Sequence, residues 1–156
     1  MQFFEMLNNH YHWQQMLTKV DIIPTSLILA EASYRSANYS KALSRKTYNL
    51  FNLVCYMADC GLPLKQVHGN PVFNTVEFSG FSSLLQAIYS FNYELSLSPR
   101  YQDFRLARAK ARKRDEPLNG YQLIGCDKKH PKVKSLYNKQ ICELIKRYRL
   151  TRYDKI

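Results

Sequence analysis

The stretch that decides the fold reads Ile23-Pro24-Thr25-Ser26-Leu27-Ile28-Leu29-Ala30-Glu31-Ala32-Ser33-Tyr34-Arg35-Ser36, followed further on by Tyr48-Asn49-Leu50-Phe51. Pro24 presets a helical φ and lacks an N–H that a first helical turn would leave unbonded anyway, so it starts a helix through about Ser36. Leu27, Ile28, Ala30 and Ala32 are not confined to one stripe, which predicts burial on most sides. Glu31 and Arg35 stand one turn apart in that apolar setting.

Working outward, the 156 residues form one domain, 1–156, long enough to build a core without metal or disulfide staples. Aromatic content is high, with 12 Tyr and 8 Phe. No run reaches about 18 apolar residues, so no membrane span is expected. The start Met1-Gln2-Phe3-Phe4-Glu5-Met6 does not read as a secretory leader, because it lacks a basic leader and Glu5 and Asn8 interrupt the apolar stretch. An exported form would have its leader removed or placed upstream.

The net charge of +11, from 23 basic and 12 acidic residues, favours polyanionic partners such as nucleic acid, acidic glycan or an anionic membrane surface. Solubility alone is the plain alternative. The four cysteines are Cys55, Cys60, Cys126 and Cys142. Their spacing matches no zinc site, and no metal or cofactor is expected. The even count fits two disulfides or free buried thiols equally well.

Periodicity supplies the other elements. Phe3, Met6, Leu7, Trp13, Leu17 and Val20 recur at three- and four-residue steps, predicting an opening amphipathic helix. Residues 40–64 read as short helical turns and loop. Gln66 to Phe78 alternates around Gly69-Asn70-Pro71 and is the one plausible β-ribbon. Phe81, Leu84, Leu85, Ile88, Phe91 and Leu95 form an apolar stripe, and Ser98-Pro99 reads as N-cap and N1 of a helix from Arg100 to about Lys113. A last helix, roughly Pro131 to Tyr148, presents Val133, Leu136, Tyr137, Ile141, Leu144, Ile145 and Tyr148 to the core. The fold class is mainly α (α+β), a helical domain with one small β-ribbon.

Several motifs, in order and nearly in register over residues 13–150, resemble the Bax-type glucosaminidases of glycoside hydrolase family 73. Their pattern is approximately I-P-P-S-L-x-L-A-Q-A-x-x-E-S-G-W-G, then N-N-L-F-G. Cys55-Tyr56-Met57-Ala58-Asp59-Cys60-Gly61-Leu62-Pro63 resembles the element W-C-x4-G-C-G-x-x-P. Ala87-Ile88-Tyr89-Ser90-Phe91-Asn92-Tyr93-Glu94-Leu95-Ser96, then Tyr101 and Phe104-Arg105-Leu106-Ala107-Arg108, resemble S-V-x-x-Y-x-x-N-L-N, a Tyr and F-R-x-x-R. Pro117-Leu118-Asn119-Gly120 resembles P-L-x-G, and His130-Pro131-Lys132-Val133-Lys134 takes the place of Y-S-E-R-G, with Tyr137 kept in the helix beyond.

The resemblance implies a lysozyme-like domain whose small β-containing lobe flanks a glycan cleft. Active members cut peptidoglycan after N-acetylglucosamine. It further implies a Cys55–Cys60 disulfide, a periplasmic or exported location, and glycan contacts from Tyr48, Asn49 and Tyr137.

The chemistry departs from that pattern. Glycoside hydrolysis needs a carboxylic acid that protonates the leaving oxygen, held protonated near neutral pH by burial. The acid position of the pattern is Arg35, whose guanidinium stays charged and has no proton to give. The second acidic position falls on Lys132. The G-W-G of the pattern becomes Ala37-Asn38-Tyr39, and the glycine after N-L-F becomes Asn52. Those losses are expected to fill space at the cleft. No catalytic residue is therefore assigned. The reading is a pseudoenzyme that binds peptidoglycan, another glycan or an envelope protein, and the fallback is an active glucosaminidase using a displaced acid, Glu31 or Glu94.

For Glu31 the plainer role is an i,i+4 ion pair with Arg35, worth ~0.3–0.5 kcal/mol at a surface. Glu94 is expected to supply a second neutralising contact. His10 and His12 point apart on a helix, His68 falls in the expected β-ribbon, and His130, at the Y-S-E-R-G position, reads as a ligand contact or equally as a surface residue at a helix start. The basic run Arg105, Arg108, Lys110, Arg112, Lys113 and Arg114 lacks interleaved aromatics or a recognised motif, so an acidic glycan or protein fits it better than nucleic acid.

Overall fold

The computed structural model describes residues 2–18, 23–53, 80–126 and 136–154. Seven α-helices are seen there: α1 (Gln2–Thr18), α2 (Thr25–Ser36), α3 (Ala42–Thr47), α4 (Leu84–Leu97), α5 (Gln102–Lys113), α6 (Gly120–Leu123) and α7 (Leu136–Arg147). Two 3₁₀ turns, Pro99–Tyr101 and Leu150–Tyr153, lead into α5 and follow α7. Among the described residues there is no strand. The β-ribbon expected over 66–78, Cys55, Cys60 and Lys132 lie outside the described residues.

Helix α2 is the central element, as its composition predicts. Pro24 sits at its N-cap, and Leu27, Ile28, Leu29, Ala30 and Ala32 are all at most 1% exposed. It packs against α7, α6, α1 and the turn 150–153, while α1 packs on α4. Leu50 and Phe51, carried by the bend after α3, close the core against Ile88, Phe91 and Leu95 of α4. Each such aliphatic or aromatic side chain contributes about 1.5–3 kcal/mol by leaving water.

Some expected core positions differ. In α1 the buried face is Phe4, Leu7 and Tyr11, whereas Met6 and Trp13 are exposed. The Tyr11 hydroxyl donates to Ile23 O, so this helix is registered by a polar contact that hydrophobic spacing does not reveal. In α7, Ile141 and Ile145 are buried but Leu136 is exposed, and Tyr148, just beyond the helix, is 39% exposed while packing on Phe4. Ser98-Pro99 opens the 3₁₀ turn rather than α5 itself, and Ser98 makes no side-chain cap.

The N-terminal end of α2 is anchored across the chain. Asp154 accepts from Ser26 N at 2.7 Å, Ser26 Oγ at 2.7 Å and Gly120 N at 3.2 Å. A carboxylate there satisfies orphan N–H groups and meets the positive end of the helix dipole. Gly120 is required by proximity: a Cβ would clash with Ser26 Oγ and come within 3.0 Å of Leu27 N. Asn119, just before it, caps α6 by accepting from Tyr121 N and Gln122 N.

Candidate functional site: the buried Arg35 cluster

Arg35 lies in the last turn of α2, its side chain 11% exposed, and its guanidinium gathers partners from four parts of the chain. Its Nε–H is shared between Glu31 Oε2 at 2.8 Å and the Tyr137 hydroxyl at 2.9 Å. Nη1 donates to Phe51 O at 3.0 Å, and Nη2 to the Tyr101 hydroxyl at 2.8 Å. The Tyr137 hydroxyl in turn donates to Glu31 Oε2, closing a triangle of carboxylate, phenol and guanidinium. The rings of Phe91 and Tyr137 lie 5.4 and 5.5 Å from the guanidinium carbon, within reach of a cation–π attraction. Phe91 itself stacks on Phe51 at 4.3 Å, so apolar packing fixes that wall.

The electrostatics follow from burial. Desolvation pulls the Arg35 pKa down, but Glu31, then Tyr101 and Tyr137, more than offset it and hold the guanidinium charged. Burial pushes the Tyr137 hydroxyl well above its ordinary range; the Glu31 charge adds to this and Arg35 opposes it. Tyr101 is pushed up to about 12, chiefly by burial and then by Glu31, against the pull of Arg35 and Arg100. Both phenols therefore remain neutral donors and acceptors around the cation at working pH.

The ion pair with Glu31 forms as the i,i+4 spacing predicts, but it is no surface pair, since Glu31 is 3% exposed. Removing one partner of such a pair costs about 3–5 kcal/mol rather than tenths. The expectation for Glu94 needs correction. It is half-buried on α4, makes no salt bridge to Arg35 among the described residues, and acts on the cluster through its charge near Tyr101. Phenols and a carbonyl supply the contacts a second carboxylate was expected to make.

The expected sugar contacts separate. Asn49 is fully buried, and both ends of its amide close the bend: Nδ2 donates to Leu53 O and Oδ1 accepts from Leu53 N, each at 2.9 Å. Tyr137 turns its hydroxyl into the Arg35 cluster, while its ring meets Tyr34 edge-on at 5.2 Å. Tyr48 and Tyr34 are exposed, at 38% and 41%. Above the cluster, Arg100 is exposed and its guanidinium lies 5.7 Å from the rings of both Tyr101 and Tyr137. Sequence reasoning missed Tyr101, Arg100 and Tyr34. The available signal was Arg35 itself, since a buried guanidinium demands several acceptors.

The backbone next to Arg35 takes a left-handed course. Ala37, Asn38 and Tyr39 have φ of 50°, 55° and 69°, and Asn52 has 50°. Ser33 Oγ bonds Asn38 Oδ1 at 2.6 Å, and Ser36 Oγ accepts from Tyr39 N at 2.8 Å. Asn52 Nδ2 donates to Arg35 O at 3.2 Å, tying the bend to the end of α2. These turns form without glycine. Asn and Asp tolerate φ above zero, and at Ala37 and Tyr39 the strain is held by neighbours.

The basic run on α5 is not one solvated face. Arg105 donates to Leu95 O at 3.0 Å and Ser98 O at 2.7 Å at the end of α4, and Arg108 is buried over Phe104. Cys126 and Cys142 form a disulfide that joins the end of α6 to α7. Among the described residues no three His, Cys, Asp or Glu gather as a metal site, and no helix is long and apolar enough to cross a membrane.

No protein-family model matches the chain. In sequence it is similar to Protein bax of Escherichia coli (strain K12), 31% identical over 112 residues, which are 72% of this chain and 38% of that protein. The chain thus spans well under half the length of the curated relative it matches. In structure it is similar to the catalytic domain of the autolysin Auto from Listeria monocytogenes, with a TM-score of 0.62 at 18% identity, covering 97% of this chain and 88% of that one. The class defined by the fold is a mainly α-helical, lysozyme-like domain. Within that class the chain belongs to the Bax-like glucosaminidase domains, of the glycoside hydrolase family 73 kind.

Proposed function

We propose that this domain binds glycan, with peptidoglycan as the first candidate, without cleaving it. The observation that carries the reading is the saturation of Arg35. A guanidinium at the acid position cannot protonate a leaving oxygen, and this one is held by Glu31, Tyr137, Tyr101 and Phe51 O. Glu31 is a poor replacement acid, because its Oε2 already accepts from Arg35 and Tyr137 and it is buried. Tyr34, Tyr48 and Arg100 remain exposed to stack and hydrogen-bond sugars. The Cys126–Cys142 disulfide supports an oxidising, extracytoplasmic compartment, and a Cys55–Cys60 pair would fit the same setting.

Co-sedimentation with purified insoluble peptidoglycan tests the binding. Retention that falls in Tyr34→Ala and Tyr48→Ala is expected; no retention even at low salt would sink the glycan reading and leave an envelope protein as the partner. One observation favours a second reading: Glu94 is half-buried beside Tyr101 and its carboxylate is free of Arg35. Hydrolysis abolished by Glu94→Gln would establish it as a displaced acid.

A further inference from the structure

The end of α7 and the turn after it carry four cations over 146–152: Lys146, Arg147, Arg149 and Arg152, all exposed. None forms a salt bridge among the described residues. Of the nearby acids, Asp154 is turned inward to Ser26 and Gly120, and Glu143, exposed on α7, pairs with none of the four. Among the described residues the local positive charge therefore has no acidic partner.

Aromatic rings sit among these cations. Arg147 lies 5.7 Å from the Tyr148 ring, and Arg152 lies 4.7 Å from the Tyr153 ring while its Nη2 donates to the Tyr153 hydroxyl at 2.8 Å. Tyr148, 39% exposed, packs on Phe4 of α1 at 5.1 Å. The stretch 146–153 thus carries four exposed cations and two tyrosines, with Tyr148 resting on Phe4 and beneath Arg147. Stacked arginines keep their forks pre-organised for bidentate contact with phosphate. A tyrosine with an apolar body and polar tip suits the headgroup level of a bilayer, and clustered Lys/Arg add attraction to anionic lipid.

We propose that this segment, with Tyr148 and the exposed Lys146, Arg147, Arg149 and Arg152, docks the domain peripherally on an anionic phospholipid bilayer. Charge complementarity favours that occupant, and the placement of Tyr148 separates it from nucleic acid or a sugar chain. Its ring already packs against Phe4 and Arg147, so it offers an amphipathic edge rather than an open face for stacking. The patch is distinct from the Arg35 cluster and does not depend on whether that cluster binds glycan.

The test is co-sedimentation with vesicles of phosphatidylglycerol and phosphatidylcholine, against vesicles of phosphatidylcholine alone. The domain is expected to pellet with the anionic vesicles only, and to be released as salt rises from about 0.1 M to about 1 M, where the screening length falls from about 10 Å to 3 Å. Replacing Arg147, Arg149 and Arg152 together by Gln is expected to weaken binding at least about tenfold, and replacing Lys110 and Lys113 of α5 by Gln less than about twofold. Should the triple variant melt early, Lys146→Gln with Arg147→Gln carries the same expectation in a form that spares the Arg152–Tyr153 bond. Equal pelleting with zwitterionic vesicles would overturn the proposal. So would an equal loss in the α5 variant, which would make net charge the cause, or retention on heparin without vesicle binding.

Discussion

Helix α2 is held at its two ends by different kinds of residue. At the N-terminal end, Ser26, Gly120 and Asp154 form an anchor between distant parts of the chain, in which the glycine of P-L-x-G is present and needed, because Ser26 Oγ occupies the space a Cβ would take. At the C-terminal end the residues of the Bax-type pattern are replaced. Arg35, Glu31, Ala37, Tyr39 and Asn52 stand where that pattern has glutamate, glutamine and glycines, yet the backbone still turns left-handed at Ala37, Tyr39 and Asn52. At one end the residues match that pattern; at the other they depart from it, in a backbone that turns left-handed without glycine. The departing end holds a buried ion pair and at least two strained positions.

The comparison can be broken most sharply at Arg35. Arg35→Ala is expected to lose about 3–5 kcal/mol in urea denaturation, since it leaves Glu31 and two phenols buried without their cation. Adding Glu31→Gln to that variant should recover part of the loss. A cost below ~0.5 kcal/mol would mean the pair behaves as a solvated one. At the other end, Gly120→Ala is expected to cost about 1–3 kcal/mol by overpacking against Ser26 and Leu27.

A titration sharpens the view of the cluster. Tyr101 has an ordinary value of 10.0 and is pushed up to about 12 in the fold, so above pH 10 the unfolded chain loses a proton that the folded one keeps. Stability from this group is complete below pH 10 and falls as pH rises toward 12, by roughly 1–2 kcal/mol after allowance for partial exposure. Tyr101→Phe should flatten that stretch of the stability–pH curve; an unchanged slope would remove Tyr101 as its source. The smallest effect concerns the strained turn. Ala37→Gly is expected to raise stability by about 0.5–1 kcal/mol, because φ of 50° suits glycine better than alanine. A fall in melting temperature would show that the turn no longer needs glycine.

Much of the scaffold was legible in the sequence. The unstriped apolar run 27–32 announced a central helix, and the i,i+4 spacing of Glu31 and Arg35 announced their pair. What sequence spacing could not show was which distant groups meet. Asp154 reaches Ser26 across 128 positions, and Tyr101 and Tyr137 reach Arg35 across 66 and 102. Asn49 misled because an amide in a motif reads equally as a sugar contact or a turn closure, and only its burial against Leu53 decides. Arg105 and Arg108 misled likewise, since a basic run on a helix does not reveal which members point inward.

The central proposal is that this Bax-like domain binds glycan without cleaving it. It is tested most directly by incubating the domain with purified peptidoglycan and separating the soluble muropeptides by chromatography. The account expects no product above the protein-free control. Muropeptides released by the wild-type domain, and lost in Glu94→Gln or Glu31→Gln, would contradict it.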